Sequence, residues 1–250
     1  MKTKISNIIY CFLLCILVTA CSKESANIES SNQAKSGSIT KFAIAGNYIY
    51  TLGASTIGVF NITNRQHPVN VNSIPSASNI ETIFSYLGRL YLGATDGVYI
   101  VDISLPTQPY ILGRASHQVG CDPVVAKGNV AYSTVLQSRI CNNGTSITQS
   151  ELMVIDAASF QVINSIALQE PQGLGYDGNY LFVCNGNYGI NIYDISNETN
   201  PNHINTIYNI NAKDLITDNN TLIVASENGY SFYDYSNINS VVKLAEIKKN

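Results

Sequence analysis

Tyr99-Ile100-Val101-Asp102-Ile103-Ser104 is a short apolar run closed by an acid. It returns as Leu152-Met153-Val154-Ile155-Asp156 and as Ile192-Tyr193-Asp194-Ile195-Ser196. Runs this short, rich in β-branched and aromatic residues and bounded by turn formers, read as strands. Each is preceded by a second such run: Tyr48-Ile49-Tyr50, Leu90-Tyr91, Ala131-Tyr132, Leu181-Phe182 and Leu222-Ile223, at intervals of 41, 41, 50 and 41 residues. The closing position holds Asn61, Asp102, Asp156, Asp194 and Asp234. Only the third copy is longer, between Leu136 and Glu151.

A fixed period of this length is the signature of a repeat architecture. Every copy holds four strand-like runs. In the second they are Thr82–Tyr86, Leu90–Gly93, Val98–Ile103 and Tyr110–Arg114. The first hairpin of each copy turns on Gly46-Asn47, Gly88-Arg89, Gly128-Asn129, Gly178-Asn179 or Asn219-Asn220, residues that tolerate positive φ. Pro68, Pro106, Pro109 and Pro201 fall between the third and fourth runs, where a missing N–H does no harm. No helical periodicity competes. One four-stranded unit cannot bury both of its faces, and five stacked radially cover one another. The expectation is an all-β fold, a β-propeller of about five four-stranded blades with a period near 41 over residues 39–250. An open solenoid is the lesser alternative.

The quoted runs resemble the LVIVD repeat of bacterial and archaeal cell-surface proteins. Gly120-Cys121-Asp122-Pro123-Val124 and Leu181-Phe182-Val183-Cys184 are similar to longer segments of lipoproteins in that family. The resemblance covers the chain from Ser38 onward. It implies the fold and a cell-surface compartment, and little about activity. The first copy departs from it with Asn61 for Asp, and the fifth with Tyr235 for Ile.

Residues 1–20 read as an export signal. Lys2 and Lys4 precede an apolar run of eleven residues, Ile8–Val18, too short for the ~20 that span a bilayer and suited to a signal peptide. Val18-Thr19-Ala20-Cys21 resembles the lipobox of bacterial lipoproteins, which implies cleavage before Cys21 and its lipidation. Residues 21–38 hold almost nothing large and apolar and read as a flexible tether. The expected location is the outer membrane or cell surface, held by the lipid anchor alone, with a periplasm-facing orientation as an alternative.

Composition narrows the function. Charged residues make up 12% of the 250 and the net charge is −3, against roughly 25% charged in ordinary domains. Polarity comes from 29 Asn together with Ser and Thr. Such a chain lacks the basic footprint of a nucleic-acid binder. His67, His117 and His203 are scattered without zinc-ligand spacing, and no nucleophile elbow, Walker loop or dinucleotide fingerprint appears. No metal, cofactor or catalytic residue is therefore assigned. The repeated acids read as structural, each taking backbone N–H bonds of the following turn. Export favours oxidation, so Cys121 and Cys141 are expected to form a disulfide pinning the insertion around 138–150, while Cys184 is a buried free thiol. Gly173-Leu174-Gly175 reads as a site of close packing near the axis.

The residues ten before each second-strand anchor are Thr40, Glu81, Asp122, Gln172 and Lys213, with Lys41 and Asp214 beside two of them. In a propeller the first strand lines the channel, so these would ring one mouth. Unlike the closing acids they differ from copy to copy, as a ligand-reading set would. The reading that follows is a monomeric, non-enzymatic binding or scaffold module for an envelope or extracellular protein or glycan. The alternatives are a carbohydrate-active hydrolase or lyase using Glu81 and Asp122, and a periplasmic envelope-assembly factor that pairs through a strand edge.

Overall fold

Short runs of alternating apolar residues, broken by Gly and Asn turns, build five sheets, and each sheet follows the chain without a crossover. The computed structural model describes residues 38–77, 79–117, 123–136 and 150–249. The first sheet is β1 (Phe42–Ala45), β2 (Tyr48–Leu52), β3 (Thr56–Asn61) and β4 (Val69–Pro75); the second is β5 (Ile80–Tyr86), β6 (Arg89–Ala94), β7 (Gly97–Asp102) and β8 (Tyr110–Ser116). The third is β9 (Val124–Lys127), β10 (Val130–Val135), β11 (Glu151–Asp156) and β12 (Gln161–Ala167); the fourth is β13 (Leu174–Asp177), β14 (Tyr180–Cys184), β15 (Ile190–Asp194) and β16 (Asn202–Ile207). The fifth is β17 (Ala212–Asp218), β18 (Thr221–Ser226), β19 (Gly229–Asp234) and β20 (Val242–Lys248). All pairings are antiparallel. The described residues show the repeats as five such sheets.

The turns behave as their residues require. Gly46, Gly88, Gly128 and Gly178 have φ between 53° and 73°, and Asn219 and Asn220 take 47° and 59°. At the second hairpins a side chain is excluded outright: a Cβ on Gly189 would lie 2.0 Å from the Ile207 carbonyl oxygen, and one on Gly229 1.9 Å from that of Ile247.

The closing acids are structural. Oδ1 of Asp102, Asp194 and Asp234 accepts the backbone N–H two residues on, from Ser104, Ser196 and Ser236, each at 2.8 Å. Asp156 accepts from Ser159 at 2.6 Å, and Asn61 in the first copy does the same for Thr63 at 2.8 Å. These bonds to Ser hydroxyls and amides hold all four carboxyls below their ordinary range. A folded pKa below the unfolded one (~3.9) gives stability that is present above that value and is lost as pH falls through the folded one. Asn keeps the acceptor without the proton equilibrium, as Asn61 already does. The fourfold variant Asp102→Asn, Asp156→Asn, Asp194→Asn, Asp234→Asn should therefore lose less of its urea midpoint than wild type between pH 5 and pH 2.5. Equal acid losses would contradict this account of the turns.

Successive sheets pack face to face, and one position in each copy shows how. Tyr50, Tyr91, Tyr132 and Phe182 are wholly or almost wholly buried against the following sheet. The Tyr50 hydroxyl donates to the Pro106 carbonyl at 3.2 Å, and that of Tyr132 to the Glu198 carbonyl at 2.8 Å. Burial pushes the Tyr50 phenol up to about 12. A second row of ties comes from Asn at the β-bulge of the fourth strand. Asn72 donates to Thr107 O, Asn164 to Thr199 O and Asn205 to Ile238 O. The second sheet carries Gly113 there instead. The ring of Phe160 fills that space, and a Cβ on Gly113 would come within 2.5 Å of it. Apolar side chains from neighbouring sheets fill the seams, as with Ile83, Leu90 and Val101 of the second sheet against Tyr50 and Val59 of the first.

The two ends of the series differ from its interior. Phe42 stands where Ile83, Val124, Leu174 and Leu215 stand, on the face towards the preceding sheet. Those four are buried; Phe42 is 52% exposed. On the opposite face, Tyr230 occupies the position of the buried Ile57, Val98, Leu152 and Ile190, and is 53% exposed. The segment before the first sheet reaches the fourth and fifth. Ser38, placed by sequence in the tether, is buried, and its hydroxyl donates to Asp214 Oδ1 at 3.2 Å and accepts from Leu174 N at 2.8 Å.

Candidate functional site

The first strands of the sheets carry the side chains that differ between copies, and two of these are displaced by bulges. Between Ile80 and Thr82 the β5–β6 register slips, leaving Glu81 without a partner in the ladder. The β17–β18 pair slips in the same way at Lys213. A bulge re-aims one side chain without breaking the sheet, so the repeat itself turns Glu81 and Lys213 out of line.

Glu81 joins Lys41 and Gln172 in the lining of a cavity of about 260 Å³, completed by Ile39, Thr82, Pro123, Leu136 and Pro171. Four repeats contribute. The backbone behind these residues is fixed: Lys41 O accepts from Leu52 N at 2.9 Å, and Gln172 N donates to Cys184 O at 2.8 Å. Gln172 O accepts the Thr134 hydroxyl at 2.6 Å, and Pro123 O the Ser133 hydroxyl at 2.9 Å. Partial burial raises the Glu81 carboxyl, and the Lys41 ammonium partly offsets the rise. The result is a small recess with one cation, one carboxyl and one amide among apolar walls.

Three of the seven residues anticipated for the mouth are thus brought together. Thr40 is withdrawn from it, because its hydroxyl donates to Ile83 O at 3.0 Å while its carbonyl accepts from Ile83 N at 2.9 Å, joining the first two sheets. Lys213 lies 3.7 Å from Glu227 instead of in the cavity. Asp214 is a fastening: besides the Ser38 hydroxyl it takes the backbone N–H groups of Leu215, Ile39 and Ser38, and burial still raises its carboxyl. Ser38 and Ile39 thus occupy the Asp214 carboxylate. The tether's composition of small polar residues hid that role. Asp122, Cys21, Cys121 and Cys141 lie outside the described residues, as does the insertion except Ser150.

Gly173 and Gly175 do serve close packing. A Cβ at Gly173 would sit 2.1 Å from Asp214 Oδ1, and one at Gly175 2.8 Å from Leu215 Cδ1. Cys184 is buried as a free thiol, and burial pushes its pKa well up. Among the described residues no group of three or more His, Cys, Asp or Glu is placed to hold a metal ion. A larger hollow of about 520 Å³ lies at the outer seam of the fourth and fifth sheets. Its Asn205 is already engaged in the repeat's own amide tie, which makes it a product of sheet packing.

A family model matches part of the chain. The LVIVD repeat matches the chain at residues 90–116 and 172–208. The matched residues take in β6 through β8 and the stretch from Gln172 through Tyr208, which contains the whole fourth sheet. No curated protein matches the chain. Solved structures do. The computationally designed Ika8 protein is 15% identical with a TM-score of 0.58, over 88% of this chain and 64% of that one. Hydrazine synthase of Kuenenia stuttgartiensis is 13% identical at a TM-score of 0.56, over 77% and 63%. A functionally unknown protein from Desulfotomaculum acetoxidans is 12% identical at 0.62, over 82% and 67%. These likenesses concern the fold alone. The chain spans just under two thirds of the Ika8 and hydrazine synthase chains.

Proposed function

We propose that the chain is an exported, lipid-anchored LVIVD-repeat module of β-propeller type that binds a partner without transforming it. The observation carrying this reading is the recess where Lys41, Glu81 and Gln172 meet. Three different copies each supply a different polar group at equivalent or adjacent repeat positions, on backbone that the seams hold rigid. A site that only sealed the channel would have no need of a bulged, half-buried carboxyl opposite an ammonium. The radial arrangement is supported by the face-to-face seams and by the inner-edge tie from Ser38 to Leu174 and Asp214. Export and anchoring through Cys21, with the outer membrane or cell surface as destination, rest on the N-terminal residues.

A recess of this size takes one small group of a larger partner: a saccharide unit of an envelope glycan, or a side chain of an extracellular protein. Lys41 would meet an anionic or hydroxyl acceptor, and Glu81 and Gln172 would meet donors. The test is capture of cell-envelope material on immobilised protein, together with a glycan array. Lys41→Ala with Glu81→Gln should weaken whatever the wild type retains by about tenfold or more, at unchanged thermal stability, since losing polar contacts of this kind costs ~1–3 kcal/mol. Unaltered capture by the double variant would overturn the assignment of the recess. Turnover of a saccharide that stops in Glu81→Gln would replace the binding module with a hydrolase or lyase.

A further inference from the structure

Two opposite charges border the recess without closing on each other. Lys41 and Glu81 line the same cavity of about 260 Å³. The ammonium is near enough to lower the carboxyl that burial raises. The ion pairs printed by contact among the described residues are nevertheless elsewhere: Arg114 with Asp96, Lys127 with Glu198, Lys213 with Glu227 and Lys243 with Glu246. The backbone beneath both charges is fixed by the first seam, where the Thr40 hydroxyl donates to Ile83 O at 3.0 Å and Ile83 N donates to Thr40 O at 2.9 Å. The register shift between Ile80 and Thr82 then sets Glu81 out of the ladder.

Such a pair selects by charge. A ligand with only a negative group brings it against Glu81, and one with only a positive group brings it against Lys41. Like charges in a partly buried place repel, which rejects both. A neutral ligand takes water from the two charges and returns hydrogen bonds alone. A ligand with both charges at one end meets both, and its cation adds to the compensation that Lys41 gives Glu81 only in part. The simplest organic group of that kind is the α-amino acid head, whose ammonium and carboxylate share one carbon. Size agrees, since the cavity of about 260 Å³ is smaller than the ~300–1,000 Å³ of sites that enclose drug-sized ligands. The Gln172 amide both donates and accepts, and Ile39, Pro123, Leu136 and Pro171 supply an apolar wall for a methylene stem.

Resting on the reading of the recess as a binding site, we propose that its ligand is an α-amino acid head on an aliphatic stem. The carboxylate meets Lys41, the ammonium meets Glu81, the Gln172 amide serves the carboxylate, and the stem lies along the apolar wall. Two sources share this chemistry. One is a free amino acid, and the other is an amino acid joined through its side chain to an envelope glycan, which leaves the head uncapped. A plain saccharide ring or a singly charged side chain leaves one of the two charges unmet.

Isothermal titration calorimetry of the purified full chain in detergent tests this with racemic Nε-acetyl-lysine, its methyl ester and Nα,Nε-diacetyl-lysine. The second probe lacks the carboxylate and the third lacks the ammonium. The wild type should bind Nε-acetyl-lysine at one site, and each capped probe at least about tenfold more weakly. Lys41→Ala should erase or reverse the preference over the methyl ester and keep that over the diacetyl probe. Glu81→Gln should do the opposite, and neither change should move the thermal midpoint. Excess Nε-acetyl-lysine should elute envelope glycan from the immobilised protein where the head is borne on glycan; saturable probe binding with no glycan captured identifies a free amino acid. Absence of binding, or equal affinity for the three probes, overturns the proposal. Envelope capture that Lys41→Ala with Glu81→Gln still weakens would then show that the recess binds a different group, whereas capture indifferent to that double variant would remove the recess as a site as well.

Discussion

Tyr132→Ala lowers the stability of the chain by about 3–5 kcal/mol, whereas Ile223→Ala, at the equivalent position of the fifth sheet, costs about 1–2 kcal/mol. Tyr132 is fully enclosed between the third and fourth sheets and donates to Glu198 O at 2.8 Å. Removing it leaves a large cavity and an unpaired carbonyl. Ile223 is only half-buried, on a face that no other described sheet covers, so its loss opens little that water did not already reach. Tyr132→Phe isolates the hydroxyl and should cost about 1 kcal/mol. Urea unfolding measures all three. Equal losses at Tyr132 and Ile223 would mean that the fifth sheet's outer face is covered in the single chain.

Asp214→Ala should cost about 3 kcal/mol, more than most changes at a polar residue. Its carboxylate takes the Ser38 hydroxyl and the N–H groups of Leu215, Ile39 and Ser38, and the alanine leaves these donors without an acceptor in a partly buried place. Asp214→Asn keeps an acceptor oxygen and removes a charge that burial disfavours, so its cost should stay below about 1 kcal/mol. The pH dependence separates the two effects. Burial raises the folded carboxyl above its unfolded value, so the folded state binds this proton more tightly and gains stability as pH falls. The stability difference between wild type and Asp214→Asn should therefore shift towards wild type from pH 7 to pH 4. This trend is opposite in sign to that of the four turn aspartates. A difference independent of pH would mean that Asp214 titrates normally.

Periodicity carried most of the fold. The anchor row Tyr50, Tyr91, Tyr132, Phe182, Ile223 and the closing acids were enough to place five hairpin-connected sheets and their turns, because each copy must satisfy the same backbone geometry. The strands run one or two residues beyond the expected runs, as at Ile80 and Ser116, since ladder pairing is a property of the backbone. The openness of the two end faces was not legible, because Phe42 and Tyr230 are as apolar as the residues they replace. Exposure depends on whether a neighbour exists, and a repeat does not encode that.

The mouth was half legible. Counting back from the anchors found Lys41, Glu81 and Gln172 because the repeat fixes where the first strand of each sheet begins. Thr40, Lys213 and Asp214 were misplaced for separate reasons: Thr40 bonds to Ile83 of the second sheet, Ser38 and Ile39 engage the Asp214 carboxylate, and Lys213 turns to Glu227. A tie made by one serine hydroxyl and two backbone amides has no compositional signature. Ile39, Pro123, Leu136 and Pro171, which wall the cavity, lacked any signal beyond lying next to the counted positions.

The most direct measurement places a photo-crosslinking amino acid at position 172 of the anchored protein in intact cells, with position 188 as an exposed control. Illumination should link position 172 to one dominant partner, lost when Lys41→Ala and Glu81→Gln are added, while position 188 gives a diffuse background. Equal, unsaturable labelling at both positions would contradict a binding site at the mouth.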